Sequence, residues 1–166
     1  MCICSSGLPS WRVDNGADMQ LDITPLQRAD KPHWAQLWYA YLDFYETTLP
    51  LDVYNATFEA LLSDDVHAPC GLLAWSDGQA VGLVHYLFHA HCWKPAGICY
   101  LQDLYVTEQA RAQGAGRALI EAVYHAADAR AVPDVYWTTQ DFNATARRLY
   151  DKIGQETPFI KDVRPT

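Results

Sequence analysis

The sequence predicts a single α/β domain in which helices flank a mixed sheet, in the order β-α-α-β-β-β-α-β-α-β. Three observations predict it. The chain has 166 residues and is half hydrophobic, with 6 Trp and 10 Tyr, enough for one core and too apolar for disorder. Apolar residues recur at helical spacing in several separate stretches. Between those stretches stand short runs rich in β-branched, aromatic and aliphatic residues, and no repeat or internal linker divides the chain.

The elements follow in order. Residues 1–19 show no periodicity and contain Gly7, Pro9 and Gly16, so they read as a flexible extension before a domain spanning 20–166. Met19, just ahead of the first strand pattern, is a candidate alternative start. Leu21-Asp22-Ile23-Thr24-Pro25-Leu26 alternates as strand one. Asp30 is placed to cap a helix with Pro32 in its first turn. Trp34, Leu37, Trp38, Tyr41, Leu42 and Tyr45 repeat along one face of it, and Leu49-Pro50 ends it. A second helix starts at Asp52 or Asn55 and carries Phe58, Leu61 and Leu62. Residues 70–75, a turn at Asp77-Gly78 and residues 80–89 form a hairpin, and 98–106 is the next strand. Residues 116–130 form a helix with Leu119, Ile120, Val123 and Ala127 inward, and 135–139 is a short buried strand. Asn143 caps a last helix bearing Ala146, Leu149, Tyr150 and Ile153; Gly154 stands at its C′ position, and 157–163 closes the fold as a final strand.

Charge and cysteines narrow the class. A formal net charge of -8 sets the surface against nucleic acid and anionic lipid and suits a cationic substrate. No apolar run approaches the roughly 20 residues of a membrane-spanning helix. The first residues lack the basic start and long apolar stretch of a signal peptide. Cys2, Cys4, Cys70, Cys92 and Cys99 are odd in number and form no CxxC, so all are read as reduced thiols in a cytoplasmic protein.

The densest chemistry lies in Leu101-Gln102-Asp103-Leu104-Tyr105-Val106 and in Arg111-Ala112-Gln113-Gly114-Ala115-Gly116-Arg117-Ala118-Leu119. They read as a strand, a small-residue loop and a helix start. Amides at a helix start converge, and the dipole adds about half a positive charge there. Gly114 and Gly116 let the backbone approach an anion, and Arg111 and Arg117 can bond phosphate oxygens. No Gly-Lys-Ser/Thr follows, so this is not a Walker A loop, and Leu119 replaces the third glycine of a dinucleotide fingerprint. Glycines so spaced also occur in ordinary connections; the strand before, the amphipathic helix after and further marks downstream favour a diphosphate receptor.

Those marks are Asn143, Ala146, Leu149-Tyr150 and Gly154. Together with Arg111-Ala112-Gln113-Gly114-Ala115-Gly116, which follows the pattern Arg/Gln-x-x-Gly-x-Gly/Ala, they resemble the GNAT superfamily of N-acetyltransferases over roughly residues 20–163. The resemblance implies a mixed, mostly antiparallel sheet and acetyl-CoA as co-substrate, with no metal. It implies that the backbone of Leu104, Tyr105 and Val106 binds the pantetheine arm and acetyl carbonyl. Arg111, Ala112, Gln113, Gly114, Ala115, Gly116 and Arg117 would hold the pyrophosphate. Asn143 would touch the pantetheine or the adenosine side, and Tyr150 would sit by the thioester sulfur. Homodimers are common in the superfamily, and no interface is located here.

Acetyl transfer to an amine needs a neutral nucleophile, a donor for the carbonyl oxygen and a proton for the leaving thiolate. A phenol with a pKa near 10 can serve the last need, which points to Tyr150; without the resemblance, Tyr150 also reads as a core tyrosine. Asp103 is a candidate general base in the cofactor strand, beside two alternatives: that it faces away, or that a water relay takes the proton. The 101–106 strand and the aromatic first helix resemble the polyamine and small histone-type branch, except that Gln102 stands where polyamine enzymes carry Glu. Tyr41, Tyr45 and Glu46 are expected at a cationic acceptor's channel, with Gln102 and one histidine, His85, beside them. An ordinary amphipathic helix with core aromatics and solvated carboxylates explains most of the first three, leaving one or two of them to reach the site. His85, His89 and His91 share strand parity, without the defined geometry of a metal site. Trp93 is expected to cover the pocket. The function expected is N-acetylation of a primary amine by direct attack on the thioester; a non-catalytic acyl-CoA-binding regulatory module is the alternative.

Overall fold

The computed structural model describes residues 10–14 and 20–165. One six-stranded sheet runs in chain order: β1 (Trp11–Asp14), β2 (Gln20–Pro25), β3 (Cys70–Ser76), β4 (Gln79–His91), β5 (Lys94–Val106) and β6 (Val135–Tyr136). Neighbouring strands are antiparallel except β5 and β6, which are parallel. Four helices accompany them: α1 (Lys31–Phe44), α2 (Leu51–Leu61), α3 (Ala115–Ala129) and α4 (Ala144–Ile153). No described helix is long and apolar enough to cross a membrane.

Alternation along the central strands builds two cores, one on each face of the sheet. Leu72, Ala74 and Val84 pack with Leu119, Ile120 and Val123 of α3, and α4 leans Leu149 and Tyr150 onto that layer. Leu73 and Leu83 pack with Trp34, Leu37 and Trp38 of α1 and with Phe58 and Leu61 of α2. Strands buried on both sides read as continuous apolar runs, as Gly71-Leu72-Leu73-Ala74 does.

Several elements differ from expectation. Residues 11–14 of the supposed flexible extension form an edge strand, with Trp11 opposite Ile23 and stacked on His125; residues 1–9 and 15–19 lie outside the described residues. The first helix stops at Phe44, where Glu46 turns left-handed at φ 52°. Pro50, with no N–H to lose, precedes the second helix instead of ending the first. The strand expected over 135–139 pairs only at Val135 and Tyr136, and Tyr136 is 38% exposed. Residues 157–163 form no strand and leave Phe159 and Ile160 in solvent. Gly154 is extended, not left-handed; it is small because a Cβ would come within 2.6 Å of the Trp137 ring. Cys70 is disulfide-bonded, whereas Cys92 and Cys99 are free. The disulfide removes the thiol pattern as an argument for a reducing compartment.

Two irregularities shape the site. Between β4 and β5, His85 faces Asp103 and Tyr86 faces Leu101, so Gln102 is an extra, bulged residue. The bulge reverses side-chain parity: Leu101 joins the α3 core, while Tyr105 packs against the α1 core. Pairing between β5 and β6 ends at Tyr100 and Tyr136. Beyond it the two segments part, and a notch opens between Leu101-Gln102-Leu104 and Trp137-Thr138-Thr139.

Candidate active site

The notch is closed by aromatic side chains: Tyr41 of α1, Tyr45 at its C-terminal cap, and Tyr150 of α4. Its strand wall offers backbone donors. The Thr107 N–H donates to Val81 O on β4 at 2.9 Å. Alternation then turns the N–H groups of Leu104 and Val106 to the other side, where β6 has already ended.

Tyr150 reaches the notch because α4 is docked tightly. Asn143 Oδ1 accepts from the Ala146 amide at 3.1 Å and caps the helix. Leu149 lies over Gly116 so closely that a Cβ there would sit 3.2 Å from Leu149 Cδ2. Tyr150 packs beside Trp137, ring centroids 5.4 Å apart. Burial, then the nearby Tyr45, pushes its phenol up to about 12, so it holds its proton at neutral pH.

From Val106 the chain passes a 3-10 turn (Glu108–Ala110) into the loop. Ala112 and Gly114 are left-handed at φ 61° and 89°. The first bond of α3 runs from Ala118 N to Gly114 O at 2.9 Å, so the amides of Ala115, Gly116 and Arg117 lie ahead of it at the positive end of the dipole. Arg111 folds back, its Nε donating to Val106 O at 3.2 Å, and Arg117 leans on Glu121 at 3.4 Å. Gln113 Nε2 donates to Gln109 O at 2.6 Å. Both arginine contacts are solvent-facing and weak, so an anion can compete for them.

Beneath the notch lies a buried polar chain. Trp34 Nε1 donates to His85 Nε2 at 2.8 Å, His85 Nδ1 meets Asp103 Oδ2 at 2.8 Å, and Tyr41 OH donates to Asp103 Oδ1 at 2.9 Å. Burial, then the Asp103 charge, drives the Tyr41 phenol up, and the same two causes in the same order raise Tyr45. Both remain phenols at any ordinary pH.

The structure thus brings together Tyr41, Tyr45, Gln102, Asp103, Leu104 and Tyr150, with His85 behind them. Glu46 does not join them: it is exposed in the turn after α1. Val84, Tyr86 and Phe88 all pack toward the α3 core, so His85 and His89 keep one face of β4, yet they have separate partners: His85 is buried against Asp103 and His89 lies farther along the strand. His89 turns to Tyr136 OH at 3.1 Å, and His91 Nδ1 accepts from Trp93 N at 3.2 Å. Trp93 covers nothing; it is 86% exposed in the β4–β5 turn. Sequence reasoning missed Trp34 as a polar partner, since its spacing places it on the apolar face, and missed Trp137, Thr138 and Thr139, which follow a strand too short to announce itself.

Residues 32–155 match the model of the acetyltransferase (GNAT) family. The chain belongs to that family. It is an acetyl-CoA-dependent N-acetyltransferase acting on an amine acceptor. It is 39% identical over 140 residues to the D-amino-acid N-acetyltransferase HPA3 of Saccharomyces cerevisiae, covering 83% of this chain and 86% of that protein. It is 28% identical over 142 residues to the uncharacterized N-acetyltransferase YhfO of Bacillus subtilis, covering 84% and 94%. In fold it matches the aminoglycoside N-acetyltransferase AAC(6')-Iy, solved in complex with CoA, with a TM-score of 0.77 at 20% identity over 89% of this chain and 95% of that one. The non-catalytic module finds no support among these relatives.

Proposed function

We propose that this N-acetyltransferase acylates the primary amine of a small acceptor, an amino acid first among them, by direct attack on the acetyl-CoA thioester. The carrying observation is the β5–β6 notch, where strand amides beyond the end of the ladder, with no strand partner among the described residues, stand opposite a protonated tyrosine. Acetyl-CoA supplies the activated acyl carbon. The amides of Leu104 and Val106 donate to the carbonyl oxygen as charge gathers there and to the pantetheine arm, with Tyr105 holding the strand between them. The loop from Arg111 through Ala112, Gln113, Gly114, Ala115 and Gly116 to Arg117 cradles the pyrophosphate with amides and two guanidinium groups. Asn143 keeps its NH2 for the cofactor side while its oxygen caps α4. Tyr150 gives its proton to the leaving sulfur.

The acceptor enters past Tyr41, Tyr45 and Gln102. An amino acid is favoured by the named activity of the yeast relative, which is 39% identical. The net charge of -8 favours a small amine over nucleic acid or an anionic membrane as partner. Asp103 serves as an anchor and not as the base, since both its oxygens are already engaged by His85 and Tyr41; water carries off the acceptor's proton.

The test is thiol release from acetyl-CoA with a panel of D- and L-amino acids, spermidine, an aminoglycoside and a lysine peptide. Release with a D-amino acid is expected. Cofactor binding with no release for any amine would return the non-catalytic module to favour.

A further inference from the structure

Resting on the acetyl transfer just proposed, we infer that Trp34, His85 and Asp103 form a hydrogen-bond chain of fixed polarity that makes Tyr41 Oη an obligate acceptor for the N–H of the substrate amine. The polarity follows from donor chemistry. An indole N–H can only donate. Trp34 Nε1 lies 2.8 Å from His85 Nε2, so that nitrogen presents its lone pair and the ring proton resides on Nδ1. Nδ1–H then donates to Asp103 Oδ2, and Tyr41 gives its only proton to Asp103 Oδ1. What Tyr41 turns to the notch, whose wall it forms, is oxygen lone pair alone.

Every member but Tyr41 is shielded: the side chains of His85 and Asp103 are 4% and 14% exposed, and Trp34 is buried. Reversing the chain would set His85 Nδ1 lone pair against a carboxylate, which no rotation of Tyr41 can relieve. The donation to a carboxylate also enriches the phenol oxygen. As the amine attacks, its nitrogen becomes cationic and its N–H a stronger donor, so the contact tightens toward the transition state. Tyr41 is then a substrate-contacting residue; Trp34, His85 and Asp103 position and polarise it.

The groups facing His85 are Asp103 from β5, the Trp34 and Trp38 rings and Tyr41 from α1, with Tyr54 of α2 behind the indoles and Tyr45 beside Tyr41. In Trp34→Phe His85 Nε2 loses its indole donor, so nothing holds the ring proton on Nδ1 and the polarity of the chain is no longer set.

The experiment uses acetyl-CoA with D-alanine, or with the fastest amine of the panel, and checks each variant's melting. Tyr41→Phe and Asp103→Asn are each expected to lower kcat/KM for the amine by about ten- to a hundred-fold with unchanged acetyl-CoA affinity. The double variant should lose no more than the worse single, because both break one contact. Trp34→Phe, which removes the donor that fixes the His85 tautomer, should lower kcat/KM for the amine several-fold with unchanged acetyl-CoA affinity. Near-wild-type amine kinetics in Tyr41→Phe or in Trp34→Phe, or additive losses in the double variant, would each overturn the inference. A wild type that acetylates no amine on the panel would instead overturn the proposed function, and this inference with it.

Discussion

At the scale of single residues the site depends on protons held where they are needed. Tyr150 is half-buried against Trp137, and its phenol is pushed up to about 12 by burial and by Tyr45. For an acid the sign is simple: the protonated form persists below that value, so raising the pH toward 10 should not remove the donor. A kcat that stays level on the alkaline side to about pH 10, where an ordinary tyrosine is half ionised, is the expected profile. Tyr150→Phe should lower kcat by about a hundred-fold or more and leave acetyl-CoA affinity within a few-fold, as read by steady-state kinetics and calorimetry. Equal losses in both would mark Tyr150 as packing alone. Tyr150 was singled out in the sequence only through the family resemblance that Asn143 and Leu149-Tyr150 carry; by spacing alone it reads as a core tyrosine. Trp34 was not singled out, since periodicity counts a tryptophan as apolar and is blind to its single N–H.

At the scale of elements two glycines matter through what leans on them. Gly116 admits Leu149, and Gly154 admits the Trp137 ring; both contacts hold α4 against the notch. Gly154→Ala should cost about 1–3 kcal/mol, because a Cβ at 2.6 Å from a ring must move the ring or the helix. Since Trp137 lines the notch, turnover should fall along with the melting temperature. Gly114→Glu adds a carboxylate at a left-handed position in the loop proposed to hold the pyrophosphate; loss of coenzyme A binding is expected by calorimetry, and retained affinity would remove the loop from the site. The helices, the first hairpin and this loop were readable because helical spacing, Asp77-Gly78 and a strand–loop–helix junction are local signals. The bulge at Gln102 was not, because it arises from the pairing of two strands and no residue type demands it. The edge strand at 11–14 and the missing strand at 157–163 show the same limit: an edge forms only where a neighbour accepts it.

At the scale of the whole molecule the notch lies where two layers meet. Tyr41 of α1 and Tyr45 at its end lie on one face of the sheet, and Tyr150 belongs to α4 on the other. What couples the faces is β3 and β4, whose successive residues serve both cores: Leu72 is 1% exposed toward α3, and Leu73 is fully buried toward α1 and α2. A cavity on one face should therefore be felt on the other. Leu73→Ala, on the α1 side, is expected to cost about 2–5 kcal/mol. Because both cores share those strands, the loss should appear as one cooperative transition at lower temperature, with far-ultraviolet ellipticity and tryptophan fluorescence coinciding. Trp34 and Trp38 report from one face and Trp137 from the other, so a two-step melt would show up as separated fluorescence and ellipticity curves. Such a separation would mean that the layers unfold independently, and that the notch is held by α1 and α4 separately instead of by the sheet between them.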